Sequence, residues 1–125
     1  MPSTYLRQGL NRSKRKRHRY IGFRILGASR SFGKGAVIRA IREKAIETFG
    51  DAAKDIALRL VRFNGKEGAV HCFHAYKDDA IRLLRSIDTI GNEKVRIETV
   101  GTSGTIKALN RKFFRGELDK KFAVY

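Results

Sequence analysis

The chain has 125 residues, with 28 lysines and arginines against 12 aspartates and glutamates and a formal charge of +16. That length suits one domain with a modest core, and self-repulsion of that size calls for a polyanionic partner. No apolar run approaches the roughly 20 residues of a spanning helix, no signal-peptide core follows the basic N-terminus, and the lone Cys72 excludes a disulfide framework and a thiolate zinc cluster, so the expected partner is a polyanion other than a membrane and the expected location the cytoplasm.

Residues 1–18 lack periodicity and close on a run of like charges, so they are expected to form a basic flexible arm ahead of one domain over 19–125. From Arg19 the pattern alternates: Ile21, Phe23 and Ile25 share one face of a predicted strand, with Tyr20, Gly22 and Arg24 on the other. After Ser31, Val37, Ile38, Ile41, Ala45 and Phe49 recur at helical spacing, and Gly50 ends the helix. Residues 57–63 and 69–74 are β-rich and joined by Asn64-Gly65-Lys66-Glu67-Gly68, which predicts a hairpin. A second helix is expected over about 77–90 with Ala80, Ile81, Leu84 and Ile87 inward, Lys77, Arg82 and Arg85 outward, and Gly91 at its C′ position. A strand over 94–100 follows, and then a helix anchored by Ile106, Leu109, Phe113 and Phe114, with Thr102-Ser103-Gly104-Thr105 offering caps. The order βαββαβ plus a C-terminal helix reads as an α+β, ferredoxin-like (RRM-like) split-βαβ sandwich.

Two basic features carry the RNA expectation. Arg12, Lys14, Arg15, Lys16 and Arg17 crowd the N-terminal arm with Arg19 just beyond it, and each neutralised phosphate there releases counterions; the plain alternatives are a solvated tail or a nuclear localisation signal. Ser103, Gly104 and Thr105 open a helix that carries Lys107, Arg111, Lys112 and Arg115, a set able to hold phosphate oxygens. Spacing alone favours a simple N-cap there, because capping is the commoner use. The strand aromatics lack the RNP1 consensus of base-stacking sheets; Tyr20 is the more exposed candidate and Phe73 the more packed one. Catalysis finds little support. His18, His71 and His74 have no metal-site spacing, and Asp78-Asp79 at a helix start are explained by the macrodipole.

Arg19-Tyr20-Ile21-Gly22-Phe23, the Ala69-Val70-His71-Cys72 strand, Ile90-Gly91 and above all Gly101-Thr102-Ser103-Gly104-Thr105-Ile106-Lys107 before a basic helix resemble the archaeal ribonuclease P protein component 2 family. The resemblance spans roughly residues 6–115, with Thr102 and His71 as departures from the family's usual small apolar residue and arginine. It implies a ferredoxin-like fold and a non-catalytic subunit of a ribonucleoprotein that removes 5′ leaders from precursor tRNA. It further implies that the protein binds no cofactor, that magnesium sits with the ribonuclease P RNA, and that ribonuclease P protein component 3 joins it in a heterotetramer. Such a partner would account for surface apolars at Phe114, Leu118 and Phe122. The alternatives are a ribosomal or other structural RNA-binding protein, and an independent nuclease built on Asp78 and Asp79.

Overall fold

In the computed structural model, residues 17–28, 31–56 and 58–119 are described. The alternating run after Arg17 forms β1 (His18–Leu26), one residue earlier than expected, and buries Ile21, Phe23 and Ile25. α1 (Lys34–Phe49) buries Val37, Ile41 and Ala45, and Gly50 ends it at a positive φ of 59°. A 3-10 turn and the single-turn α2 (Ala53–Ile56) lead into β2 (Arg59–Phe63) and β3 (Glu67–Phe73). Asn64 makes the hairpin: its Oδ1 accepts the backbone N–H of Lys66 at 3.2 Å and of Glu67 at 2.8 Å, with Gly65 at φ 103° between. A 3-10 turn over His74–Tyr76 feeds α3 (Lys77–Ser86).

The chain then departs from the sequence expectation. α3 stops at Ser86, where Ile87 is extended, and a small hairpin of β4 (Thr89–Ile90) and β5 (Glu93–Lys94) follows. Gly91, expected as a helix C′ residue, sits at φ 64° in that hairpin's turn. β6 (Arg96–Ser103) runs three residues past the expected end, and α4 (Ile106–Phe113) follows, then a 3-10 turn over Glu117–Asp119.

β2, β3, β1 and β6 form one antiparallel sheet in that spatial order. The last long strand lies beside the first, and the hairpin's second strand lies between β1 and β2, which is the ferredoxin-like arrangement. α1 and α3 cover one face, and between them and the sheet lies the main core of Ile21, Phe23, Val37, Val70, Cys72, Leu83, Leu84 and Ile97. Each such aliphatic or aromatic side chain contributes about 1.5–3 kcal/mol by leaving water. The other face holds a second cluster of Ala69, Leu109, Phe114 and Leu118, because α4 folds back over it. Both edge strands carry a bulge, and the unpaired residue in each is a valine, Val61 and Val100, that packs into this cluster. Phe114 is thus buried at 4% exposure, as expected of a helix anchor and against its reading as a surface apolar; Leu118, expected as a surface apolar, is buried at 5% exposure, and Phe122 lies outside the described residues.

Candidate nucleic-acid interface

Cross-strand register divides the α4 side of the sheet into rows. At one end Arg24 pairs with Glu67 (Nε to Oε2, 2.8 Å) and approaches Glu98 (3.6 Å), so this row is charge-compensated. In the middle, Ala69, Gly22 and Gly101 stand side by side, and the rings of Phe114 and Phe113 rest where side chains on the two glycines would be. The row at the other end reads Arg59, His71, Tyr20, Ser103 across the four strands, with His18 opposite Phe73 beyond it.

That end is where positive charge gathers. β1 begins there and β3 and β6 finish there, so α3 and α4 both start there and direct the positive ends of their dipoles toward it. The Arg17 carbonyl accepts the His74 N–H at 2.7 Å, tying the exposed Arg17 to the start of α3. Arg19 Nη1 donates to the His18 carbonyl at 3.0 Å and lies 3.4 Å from where a Cβ on Gly104 would sit, so its guanidinium rests against the Ser103-Gly104-Thr105 turn. His74 reports the local field. Partial loss of hydration, then the positive charges of Arg19, Arg17 and Lys77, hold its pKa below the ordinary value, with Asp78 opposing. The side chain is exposed, so the informative part is that all three cations lie within electrostatic reach of one imidazole. Among the described residues, no ion pair joins Arg17, Arg19, Arg59 or Lys77 to a carboxylate.

The Thr105 hydroxyl is a helix cap: its Oγ1 accepts the Ala108 N–H at 3.1 Å. Ser103 Oγ stands 3.5 Å from the Thr105 N–H. Lys107, exposed on the first turn of α4, belongs to the basic end, whereas Arg111, Lys112 and Arg115 lie at the far end of the helix. There Arg111 and Lys112 also satisfy the negative dipole end. The structure therefore brings together Arg17, Arg19, Ser103, Gly104, Thr105 and Lys107 and sets Arg111, Lys112 and Arg115 apart; Arg12, Lys14, Arg15 and Lys16 lie outside the described residues.

Sequence reasoning missed Lys77 and Arg59 as members of this end, since they come from other elements and only strand register places them here. It also missed Asn110. Buried at 2% exposure, its Oδ1 accepts the Leu118 N–H at 3.0 Å while its carbonyl takes the N–H groups of Phe114 and Gly116, which pins the chain after α4. Cys72 is fully buried; burial pushes its thiol up to about 11, with Arg19 and Lys77 opposing, so it is an inert core residue. Between α1 and β2 a largely apolar groove of about 420 Å3 is lined by Ile38, Ile46, Ala53 and Leu58 together with Arg42, Lys54 and Arg59, and Ile46 is 58% exposed. Among the described residues no helix is long and apolar enough to cross a membrane.

Fold and surface together define a basic ferredoxin-like protein whose open sheet face is largely occupied by its own C-terminal helix and whose cations collect at one sheet end. The family model for the Rpp14/Pop5 family matches residues 19–114, and the chain belongs to that family. It is 37% identical over 106 residues to a ribonuclease P protein component 2 of Archaeoglobus fulgidus, covering 85% of this chain and 96% of that one. Over 102 residues it is 35% identical to the protein of the same name from Thermococcus gammatolerans, covering 79% of this chain and 84% of that one. A chain in a cryo-EM structure of yeast ribonuclease MRP superposes with a TM-score of 0.61 at 10% identity, covering 72% of this chain and 76% of that one, a likeness of fold.

Proposed function

We propose that this chain is a non-catalytic protein subunit of ribonuclease P, which binds and stabilises the catalytic RNA for removal of 5′ leaders from precursor tRNA in the cytoplasm. The observation that carries the reading is near full-length similarity to curated ribonuclease P protein components in a chain of charge +16. The geometry supports a division of labour: Arg17, Arg19 and Lys107 at the basic end take phosphates, and the arm with Arg12, Lys14, Arg15 and Lys16 extends the same electrostatic contact. Arg111, Lys112 and Arg115 add a second contact along α4. The RNA holds the catalytic magnesium, the protein binds no cofactor of its own, and neutralising RNA phosphates lowers the magnesium concentration the RNA needs to fold. Ribonuclease P protein component 3 is the expected protein partner, in a heterotetramer with this chain, and the apolar groove beside Ile46 supports a protein contact there.

The test is reconstituted leader cleavage at limiting magnesium with the wild-type chain and with Lys107, Arg111 and Lys112 all replaced by alanine. The triple variant is expected to bind the RNA more weakly, with a log-log salt slope shallower by about 0.9 per lost contact if duplex values transfer, and to stimulate cleavage less. Unchanged affinity, slope and cleavage would remove α4 from the interface.

A further inference from the structure

β6 is an outer strand of the main sheet: β1 pairs with one side of it, and among the described residues no strand pairs with the other. We propose that this open edge is a docking site for an extended acidic segment of a protein partner, which adds to the sheet as a fifth strand and places a carboxylate between Arg85 and Arg96. The site is separate from the basic end and from the groove beside Ile46, and it does not depend on the RNA-binding reading.

Residues 96–99 pair one for one with residues 26–23 of β1, and the bulge at Val100 falls only after them, so this stretch presents a regular row of backbone groups on its outer side. α3 packs against β6 and flanks the same edge. Arg85, from the last turn of α3, and Arg96, Glu98 and Thr99, from β6, line one cleft of about 520 Å3. A second groove of about 370 Å3 continues along α3 beside Ile81 and Arg82 and shares Arg85, and the half-buried Ile81 supplies an apolar contact there. Both Arg85 and Arg96 are exposed, and among the described residues no ion pair joins either to a carboxylate. Of the nearby acids, Glu98 stands 3.6 Å from Arg24, Asp79 stands 3.2 Å from Arg82, and Asp78 lies in the first turn of α3, about two turns from Arg85. Charge alone would also draw RNA. Phosphate oxygens, however, accept hydrogen bonds without donating any, and a run of them would pass Glu98 and the negative end of the α3 dipole. A peptide backbone offers donors and acceptors in the alternation that a strand edge presents, and it brings one carboxylate to two guanidiniums. Charged side chains and a bulge also discourage chance pairing at an edge, which selects for a partner matched in charge.

The test titrates the full, isotopically labelled chain with four probes and reads its amide chemical shifts: a short peptide of alternating glutamate and valine, the same peptide N-methylated at every residue, a peptide with lysine in place of glutamate, and a single-stranded RNA oligonucleotide. The glutamate peptide is expected to produce saturable shifts over residues 96–100 of β6 and along the Ile81 and Arg85 flank of α3. Arg85→Gln combined with Arg96→Gln is expected to weaken it about 5- to 10-fold, the product of two exposed charge pairs. Thermal midpoints check that the double variant is folded, and the N-methylated peptide, which keeps every charge but cannot donate to a strand edge, decides on the wild-type chain in either case. It and the lysine peptide are expected not to bind. The site is overturned if the glutamate peptide moves no β6 amide, if the folded double variant or N-methylation leaves the affinity unchanged, or if the lysine peptide binds as well. An oligonucleotide that shifts the same amides and displaces the glutamate peptide overturns it in favour of an RNA contact.

Discussion

The seating of α4 on the sheet depends on the absence of a side chain at residue 22, and Gly22→Ala measures that dependence. A Cβ there would stand 2.8 Å from Phe114 Cε2, 2.9 Å from its Cζ and 3.0 Å from Val100 Cγ2. Ordinary contact begins near 3.4 Å, so the ring must withdraw by at least about 0.6 Å. Phe114 is 4% exposed and wedged among Leu109, Leu118 and Val100, so it cannot rotate into solvent. Overpacking of this kind costs about 1–3 kcal/mol, while the stiffer unfolded chain returns roughly 0.4–1 kcal/mol. The expected net loss is about 1–2 kcal/mol, which lowers the urea midpoint by roughly 1 M at an ordinary m-value for this size. Gly101→Ala is expected to be milder although it meets Phe113 directly, because Phe113 is half-exposed and can swing outward. Equilibrium urea unfolding of Gly22→Ala, Phe114→Leu and the double variant gives the coupling between the two sites, expected to exceed about 0.5 kcal/mol. An unchanged midpoint for Gly22→Ala, or strictly additive effects, would refute the close approach of α4 to β1.

Thr105→Ala removes the hydroxyl that accepts the Ala108 N–H and is expected to lower stability by about 1 kcal/mol, with Thr105→Ser near wild type, as thermal unfolding would show. Arg24→Ala breaks its contacts with Glu67 and Glu98, but the Arg24 side chain is 37% exposed and the pair solvated, so the expected loss is below about 1 kcal/mol by the same measurement. For Cys72 the folded-state pKa of about 11 lies above the ordinary thiol value of 9.0, so the folded state holds its proton more tightly than the unfolded chain. That stabilisation is complete below pH 9 and is lost as pH rises through 11; a stability profile for wild type minus Cys72→Ala is expected to fall across that window, and iodoacetamide at pH 8 to label the thiol only after unfolding.

Periodicity made the sandwich legible. Ile21, Phe23 and Ile25 on β1 and Val37, Ile41 and Ala45 on α1 are buried as their spacing implies, and Asn64-Gly65 turns the hairpin. What stayed hidden is what register decides. A bulge at Val61 or Val100 leaves no mark in hydropathy, and Gly22 and Gly101 have meaning only once β1 and β6 are paired so that two aromatic rings can descend between them. Leu118 therefore reads as a surface residue, and Phe114 as both helix anchor and surface apolar, when they are the lid of a second core. Gly91 misled because a glycine after an apolar helical stripe has the same signature at a helix end as in a two-residue turn. The basic tract and the Ser103-Gly104-Thr105 turn were visible as separate features. That Arg19 rests against Gly104, with Lys77 and Arg59 at the same sheet end, follows from antiparallel pairing of strands far apart in sequence.

The central claim is that this chain acts on ribonuclease P RNA by electrostatics and leaves bond-making to the RNA. Its most direct test is a magnesium titration of precursor-tRNA leader cleavage by the RNA alone and by the RNA with this chain and ribonuclease P protein component 3. The account predicts that the proteins shift the midpoint to lower magnesium, that the shift shrinks as salt rises, and that the chain without RNA cleaves nothing. A titration curve unmoved by the proteins, or cleavage by the RNA-free chain, would contradict it.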